Sequence, residues 1–509
     1  MKLKTNYGMV VSGHKEATKA GQEILKKGGN AIDAAIAAAA TLAVVIPNMN
    51  GLGGDSIALW YNAKKNKIIT INGSGKSPLR ASIRYFKSKK LKKIPQRGPL
   101  SISVPGVVHA WETSLKKYGK KNLKEVLASA INLAEKGIVV DKYLKAFFEG
   151  KIYRKLIQNN NHLSDIYGDK KNYKIGSQIK QKKLADTLKI ISKEGSKSFY
   201  KGKLAKIIIE DLQKQGSIIT FDDFKNHTTL IQKPISTNYL NKQIYVAPPN
   251  SQGLALISLC NLFKNIKNNN YKTKLSDYLK NKKIAFKYRD LHCIDPSISK
   301  INSKISKNSK KVYQKEISGD TSTLVVVDKQ GNAVSWVQSL FEEFGSGVVS
   351  PRSGVILHNR LYLEKVSGNH ENYLIPYKRP FHTLCPSIIL DQKKLDLTIA
   401  TPGDHGQPQT IFQILNFIYK NKISLQKAID LPRIRHNNGN KIFAEKGFIK
   451  NFFLDKKNFS IKIFKKKIDC LEELLQLKLI QIKLFQEALI KEEIVIKIIL
   501  KPVPKLLKH

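Results

Sequence analysis

The segment 319–359 constrains the fold most strongly, because it predicts a β-hairpin that begins at a hydroxyl residue. Thr321 follows Gly319-Asp320 and precedes a β-branched run at 323–327, whose composition is typical of a buried strand. A turn at 328–331 and a second strand at 332–340 complete the predicted hairpin. The sequence therefore places a threonine hydroxyl at the start of a core strand.

That position has a chemical consequence, because a threonine hydroxyl is a poor nucleophile unless a base lies beside it. If the chain is cut between Asp320 and Thr321, the new α-amino group of Thr321, with a reference pKa of about 7.7 to 8.0, supplies that base. The other interpretation is that Thr321 simply begins an ordinary edge strand. An Asp-Thr pair alone favours this second interpretation, so the choice depends on the rest of the chain.

The composition is strongly basic, with 89 Lys and Arg against 39 Asp and Glu, a formal charge of +50. Such a charge is compatible with a nucleic acid or a membrane surface as partner. We favour a compositional bias of the source genome, because no zinc-finger or RNP-like aromatic motif accompanies the lysines. We therefore expect no specific nucleic-acid partner, and only weak binding to polyanions at low salt.

The cysteines and the apolar runs bear on compartment and cofactors. The four cysteines lie far apart without CxxC spacing, which argues against both a disulfide framework and a zinc site. The amino terminus lacks a long apolar segment, and no run of about 18 apolar residues follows. We expect a cytosolic location, no membrane partner, and neither a metal nor an organic cofactor. The cysteines are Cys260, Cys293, Cys385 and Cys470.

The secondary-structure pattern predicts strands around Thr321 with helices before and after them. This arrangement favours an α+β fold in which helices cover two sheets. The segment 141–216 is largely helical in pattern, and the polar, lysine-rich segment 300–317 predicts an exposed linker before the cut site. The predicted helices are 16–27, 34–45, 107–118, 123–136, 410–419 and 424–430, and the further strands are 56–60, 67–71, 387–390 and 395–400.

Several motifs together resemble the gamma-glutamyltransferase family. They are the hairpin segment 319–359, GLGGD at 51–55, VPGV at 104–107, RPFHT at 379–383 and TPGDHG at 401–406. The resemblance implies an amino-terminal-nucleophile hydrolase with a four-layer αββα sandwich, made as one precursor that cuts itself before a threonine. Its large-subunit region is then 1–320 and its small-subunit region 321–509, interleaved in one domain.

The resemblance also implies the catalytic groups. Thr321 would attack an amide or γ-glutamyl carbonyl of a small molecule and form an acyl-enzyme, which water or an amine resolves. Ser339 matches the family's second hydroxyl residue, and paired strands would bring it to Thr321. Gly403 and Asp404 fall where relatives have two consecutive glycines, whose backbone N–H groups form an oxyanion hole. The Asp404 carboxylate must then point away from the developing charge.

Substrate recognition departs from that of true glutathione hydrolases. Those enzymes bind the glutamyl carboxylate through an arginine and two serines, and here the matching positions are Ser74 and His382-Thr383. They hold the glutamyl amino group through Asn, Gln and Asp, and here the matching positions are Phe341, Arg360 and Leu363. A buried ammonium beside Arg360 would be repelled, so we expect weak or absent glutathione turnover.

Arg360, His382 and Thr383 instead predict a carboxylate-bearing acyl group, as in the branch of the family that resembles glutaryl and cephalosporin acylases. Two alternatives stay open. Arg360 has a second interpretation as an ion pair with Glu342 or Glu343, and His382 has one as a core histidine.

The carboxyl end, about 461–509, is atypical for the family. Relatives end in a glycine-rich strand pair, whereas 471–500 is a lysine-studded apolar run without glycine. A divergent terminal helix and a frameshifted or degraded end are both compatible with it, and loss of the last strands would leave a sheet edge unpaired. Three hypotheses for function remain: the family's γ-glutamyl enzyme, an amidase for a non-glutamyl acyl group, and a non-catalytic relative that binds polyanions.

Overall fold

Two antiparallel sheets form the centre of the molecule. The computed structural model describes residues 2–3, 6–159, 161–168, 173–264, 272–298, 320–366, 373–437, 439, 441–454, 460–464, 480–483 and 496–497. In order, the first sheet contains Gly8–Ser12, Asp320–Asp328, Ala333–Phe341, Asp55–Asn62, Lys67–Gly73 and Leu230–Gln232. The second contains Ile480–Lys483, Lys394–Ala400, Ser387–Asp391, Lys242–Val246 and Ile235–Tyr239.

The strand that carries Thr321 shows how the layers stack. Successive side chains of a strand point to opposite faces, and Val325 and Val327 belong to the core between the two sheets. Leu324 and Val326 belong to the core between the first sheet and its helices. The strand is thus buried on both faces, which explains its continuous β-branched run.

The first helical layer covers the outer face of the first sheet. Its central helix, Ala31–Val45, is buried along its whole length, and a capping box between Asn30 and Asp33 fixes its start. The other longer helices between residues 15 and 225 are Lys15–Lys26, Val107–Tyr118, Leu123–Lys136, Lys182–Glu194 and Lys203–Lys214, and the shorter ones are Ile83–Ser88, Lys142–Phe148, Lys151–Asn159, Asn161–Tyr167, Ser196–Tyr200 and Phe221–Lys225.

The second helical layer covers the outer face of the second sheet. Gly253–Phe263 and Gln407–Leu415 pack there on sheet residues such as Ile389 and Leu397. The helices Leu275–His292 and Leu425–Asp430 and the π-helical turn Asn416–Lys420 complete the layer. Helix, sheet, sheet and helix therefore follow one another, and the predicted αββα sandwich is confirmed.

None of the helices in the described part of the chain has the length and apolarity needed to cross a bilayer.

Short elements complete the described chain. The short strand pairs are Lys2–Leu3 with Ile496–Lys497, Ile138–Val139 with Gln178–Ile179, Thr273–Lys274 with Phe452–Phe453, and Val349–Ser350 with Val355–Ile356, and a three-stranded sheet contains Ile434–His436, Lys441–Glu445 and Ser460–Phe464. The 3₁₀ turns are Pro99–Ser101, Arg360–Leu363, Asp404–Gly406 and Phe448–Lys450.

The carboxyl end departs from the sequence-based expectation. The terminal helix proposed for 471–500 is wrong where the chain is described, because Ile480–Lys483 and Ile496–Lys497 are strands. Isoleucine alternates with polar residues at 480–483, a period that suits a strand better than a helix. This strand pairs with Lys394–Ala400 and covers the sheet edge that loss of the last strands would have left unpaired. The predicted linker at 300–317 lies outside the described residues.

Candidate active site

Thr321 is the second residue of Asp320–Asp328, the strand that lies between Gly8–Ser12 and Ala333–Phe341 in the first sheet. The register with the neighbouring strand shifts between Asp320 and Ser322, so a bulge faces the threonine. Its side chain is buried, and its Oγ1 lies 3.5 Å from the Oγ of Ser339. The structure thus brings together the two hydroxyls that the sequence placed on paired strands.

The Ser339 side chain is held in place by the backbone of Phe341, two residues further along the chain. Its Oγ accepts a hydrogen bond of 2.7 Å from the backbone N–H of Phe341, where φ is +79°. A left-handed φ is uncommon for an aromatic residue, and here it ends the strand and turns the chain away beside Thr321. The Ser339 hydroxyl is consequently fixed as an acceptor next to the Thr321 hydroxyl.

A buried polar network that sequence analysis missed lies beside the two hydroxyls. Asn50 donates to the Oγ of Ser322 at 2.7 Å, and Ser322 donates to the carbonyl of Gln338 at 3.0 Å. The Gln338 amide closes the ring by donating to the Oδ1 of Asn50 at 2.6 Å. A closed network of satisfied groups is rigid, so it fixes the residue that follows Thr321. The signal was present in the sequence, since Asn50 directly precedes GLGGD.

The GLGGD motif brings a carboxylate to the same place. A Cβ on Gly54 would meet the carbonyl oxygen of Ser339 at 2.6 Å, so glycine is required for this approach. The next residue, Asp55, pairs with Ser339 across the sheet, and the two side chains share a face. Burial raises the pKa of Asp55 to about 7, against the opposing effect of Arg360.

Two buried histidines lie beside the Asp55 carboxyl group. The Nε2 of His382 lies 3.1 Å from the Oδ2 of Asp55, and the Nδ1 of His358 lies 3.9 Å from the same oxygen. Burial lowers the pKa of His358 to about 3, with Arg360 adding to the effect. The pKa of His382 falls well below its usual value for the same reasons. His382 therefore has a defined partner, and neutral imidazoles line this part of the site.

Arg360 lies in the 3₁₀ turn Arg360–Leu363 and is fully buried. Its Nη1 donates to the Oγ1 of Thr383 at 3.0 Å, so the structure brings two of the predicted substrate-binding residues together. Among the described residues, its Nε and Nη2 have no hydrogen-bond partner. Burial lowers its pKa to about 10, which leaves it charged at neutral pH.

The ion pair considered for Arg360 is not present. Arg360 has no carboxylate within ion-pair distance in the part of the chain that the structure describes, whereas the Oε2 of Glu342 lies 3.4 Å from the Nη2 of Arg97. Glu342 also accepts hydrogen bonds from Gln96 and Asn359. The alternative interpretation of Arg360 as a partner of Glu342 or Glu343 is wrong for this reason.

Ser74 is buried but engaged elsewhere. Its hydroxyl donates to the Oδ1 of Asn72 at 2.6 Å and accepts from the Nδ2 of Asn250 at 3.2 Å. Its carbonyl accepts from Arg379 at 3.1 Å. These contacts describe a structural hydroxyl, and the structure does not join it to the pair Arg360 and Thr383. A role of Ser74 in substrate binding stays a prediction.

The predicted oxyanion turn has left-handed geometry at two successive residues. φ is +122° at Gly403 and +47° at Asp404, and the second value explains why aspartate, which tolerates this region better than most residues, can replace glycine. The turn leads into the helix Gln407–Leu415. This geometry is compatible with adjacent backbone N–H groups directed at one point.

The Asp404 side chain is the irregular feature of the turn. Its carboxyl group is fully buried, and neither oxygen has a hydrogen-bond partner among the described residues. Burial raises its pKa to about 6, while Arg435 and Arg360 oppose the rise. The site therefore contains a carboxyl group that changes charge near neutral pH.

The four layers and the hydroxyl pair define the class of protein as an amino-terminal-nucleophile hydrolase fold. The family model of gamma-glutamyltranspeptidase matches residues 17–456. The chain is 37% identical over 445 residues to the glutathione hydrolase-like YwrD proenzyme of Bacillus subtilis, covering 84% of each chain. It belongs to the gamma-glutamyltranspeptidase family.

Two further comparisons add to this assignment. The oxamate amidohydrolase proenzyme of Klebsiella pneumoniae is 30% identical over 455 residues, covering 84% of this chain and 85% of the relative. The crystal structure of cephalosporin acylase from Bacillus halodurans superposes with a TM-score of 0.82 at 28% identity, covering 92% of this chain and 91% of that one. The protein is an enzyme of the gamma-glutamyltranspeptidase and hydrolase type, similar in structure to the acylases.

Proposed function

We propose that the chain cuts itself between Asp320 and Thr321 and then hydrolyses an amide whose acyl group carries a carboxylate. Thr321 is the nucleophile, and Arg360 and Thr383 bind the carboxylate. Residues 1–320 and 321–509 become the two chains of the mature enzyme. They stay together because Asp320–Asp328 lies between strands contributed by both regions.

The observation that carries this proposal is the buried guanidinium of Arg360. Removing a cation from water costs several kcal/mol unless an anion or hydrogen-bond acceptors compensate. Only one of its donors is used, by Thr383, and its Nε and Nη2 are unpartnered among the described residues. A planar guanidinium with two open donors matches a carboxylate.

The first reaction is self-cleavage. The Oγ1 of Thr321 attacks the carbonyl carbon of Asp320, the C–N bond breaks, and the nitrogen takes up the proton, which leaves an ester. This N-to-O shift frees the Thr321 α-amino group, and water then hydrolyses the ester, releasing the Asp320 carboxylate and the Thr321 hydroxyl. Ser339, 3.5 Å from the attacking oxygen, orients the hydroxyl throughout.

The second reaction uses the new amino group as base. It removes the proton from the Thr321 hydroxyl as the oxygen attacks the substrate amide. Backbone N–H groups of Gly403 and Asp404 stabilise the tetrahedral oxyanion, at about 2.7 to 4 kcal/mol for each donor. The amine leaves with a proton, and water hydrolyses the acyl-threonine.

The same geometry disfavours a γ-glutamyl donor. A glutamyl ammonium would face Phe341 and the cation of Arg360, and Leu363 offers it no acceptor. Oxamate, named for the Klebsiella relative, is by contrast an amide that bears a carboxylate. A γ-glutamyl donor remains the second candidate, because several relatives are named glutathione hydrolases.

The test begins with the intact mass of the purified protein under denaturing conditions, with amino-terminal sequencing of any smaller chain. We expect chains of 320 and 189 residues (509 − 320 = 189), the smaller beginning Thr-Ser-Thr-Leu, and a single chain for Thr321→Ala. Hydrolysis of glutaryl and γ-glutamyl 4-nitroanilides is then compared. One uncut wild-type chain that persists on incubation overturns the proposal, and preference for the γ-glutamyl compound overturns its substrate part.

The cytosolic location expected from the sequence is a separate prediction. Fractionation of the source cells, followed by detection of the two chains, tests it.

A further inference from the structure

We propose that Gln252 is a positioning residue that fixes the oxyanion turn relative to the segment that binds the substrate carboxylate. The inference rests on the proposed function. Gln252 lies between the strand Lys242–Val246 and the helix Gly253–Phe263, and it is fully buried.

The side-chain amide of Gln252 joins the two parts of the site. Its Nε2 donates to the carbonyl of Asp404 at 2.7 Å and also to the carbonyl of Thr383. Its backbone N–H donates to the carbonyl of His382 at 2.9 Å. One residue thus holds the turn of the oxyanion hole and both residues of the His382-Thr383 pair.

The orientation of the amide is unambiguous. Two carbonyl oxygens require donors, and the Oε1 of Gln252 accepts from the Nη1 of Arg289 at 3.0 Å. A flipped amide would place oxygen against two carbonyls and an NH₂ group against a guanidinium. Both donors are therefore used, so the Asp404 and Thr383 carbonyls cannot move independently.

Arg289 anchors this link to the second helical layer. It lies in the helix Leu275–His292, and its Nε donates to Asp290 at 2.7 Å. Its guanidinium carbon lies 4.3 Å from the ring centre of Phe286 and 5.2 Å from that of Phe381. Because Arg289 is buried and lies against two aromatic rings, it provides a fixed support for Gln252.

His405 provides a further contact between this support and the turn. Its Nδ1 lies 2.8 Å from the Nη1 of Arg289, and it directly follows Asp404. Burial and the neighbouring arginines lower the pKa of His405 well below its usual value, so Nδ1 can accept from the guanidinium. Arg289 thus holds the turn directly through His405 and indirectly through Gln252.

This arrangement matters because displacement of a reacting group by about 1 Å can reduce the rate about 100-fold. In Gln252→Glu the shape and the Arg289 contact are kept, but both donations are lost. We expect kcat to fall about 10- to 100-fold for glutaryl 4-nitroanilide and for an uncharged butyryl 4-nitroanilide. The KM should rise for the glutaryl compound alone, since only that substrate uses Thr383 and Arg360.

The pH profile separates positioning from a general structural effect. A protonated glutamic acid regains one O–H donor, so the rate of Gln252→Glu relative to wild type should increase as pH falls. Gln252→Met, which has no donor at any pH, should show a constant deficit. The matched control is Gln181→Glu, a buried glutamine in the first helical layer that donates to the Val44 carbonyl at 2.9 Å and accepts from Tyr167 at 3.1 Å. We expect it to change thermal stability and leave the pH profile unchanged.

A binding measurement keeps the inference separate from the proposed function. Glutarate binding, measured by calorimetry, should be at least about tenfold weaker in both Gln252 variants than in wild type. If wild type hydrolyses neither anilide, the proposed function is wrong, and weaker glutarate binding still supports the role of Gln252. Equal glutarate affinity with an unchanged pH profile overturns the inference alone. Absence of glutarate binding by wild type overturns both.

Discussion

The guanidinium carbon of Arg360 lies 4.2 Å from the centre of the Phe341 ring. A desolvated cation over an aromatic face gains about 2 kcal/mol, which offsets part of the cost of burying the arginine. The two residues occupy positions where glutathione hydrolases are expected to present acceptors to an ammonium group. Here these positions instead hold an aromatic ring and a cation in contact, and a positive charge favours binding of an anion.

Replacing Arg360 by methionine tests this assignment. The side chain keeps an apolar stem of similar shape but loses the charge-assisted hydrogen bonds, each about 1.5 to 3 kcal/mol. We expect kcat/KM for glutaryl 4-nitroanilide to fall about 10- to 100-fold. The uncharged butyryl compound is the control and should be hydrolysed at nearly the wild-type rate. Equal losses for both compounds would show that Arg360 supports the fold and does not bind the carboxylate.

Ser339→Ala tests the pair of hydroxyls. The change removes the acceptor of the Phe341 N–H and the neighbour of the Thr321 hydroxyl. An unsatisfied buried N–H costs about 1 to 3 kcal/mol, and we expect self-cleavage to slow about 10- to 100-fold. The uncut fraction is followed on denaturing gels over time. Ser339→Thr, which keeps the hydroxyl on a β-branched residue, should cut itself faster than the alanine variant. If alanine cuts as fast as wild type, Ser339 does not orient the nucleophile.

Local periodicity in the sequence was sufficient to predict two sheets covered by helices and the strand that begins at Thr321. The four-layer order was implied by the family resemblance. The helices Val107–Tyr118 and Leu123–Lys136 have the predicted bounds. The proximity of Thr321 and Ser339 followed from one hairpin. Contacts between distant segments were not accessible in this way. Asp55 and His382 are 327 residues apart in the chain, and no spacing rule connects them.

Asp404 illustrates a second limit. The sequence identified it as an unusual residue in a glycine turn, but its consequence depends on burial, which only the fold supplies. The strand Ile480–Lys483 also could not be predicted from the sequence alone, since its apolar alternation covers only four residues.

So short a pattern does not distinguish a helix from a strand. What favours the strand is the edge of Lys394–Ala400, with which it pairs.

The pH dependence of stability tests the burial of Asp404. Its pKa is raised from 3.8 in a solvated aspartate to about 6 in the folded state, so the unfolded state releases its proton at lower pH. The carboxyl group therefore weakens the fold progressively as pH rises from about 4 to 6, by on the order of 3 kcal/mol. Asp404→Asn removes this titration and keeps a residue that tolerates the left-handed region.

We expect the melting temperature of Asp404→Asn to exceed that of wild type by an amount that grows between about pH 4 and 6 and then stays constant. Asp186→Asn, at an exposed aspartate of the helix Lys182–Glu194, is the control for the same substitution at the surface. A pH-independent difference for Asp404→Asn would contradict a shifted carboxyl group at this position.

Truncation after residue 470 tests the strand at the carboxyl end. Ile480–Lys483 pairs with the edge strand Lys394–Ala400 in antiparallel register, from Ala400 opposite Ile480 to Leu397 opposite Lys483. Its removal exposes a row of unpaired N–H and C=O groups on the second sheet, whose inner face packs against the first sheet. We expect a lower melting temperature and concentration-dependent aggregation, measured by light scattering. Truncation after residue 497 keeps the paired strand and is the matched control. If both truncated proteins melt and scatter like the full chain, the end of the chain contributes nothing to the sandwich, and the pairing of Ile480–Lys483 is wrong.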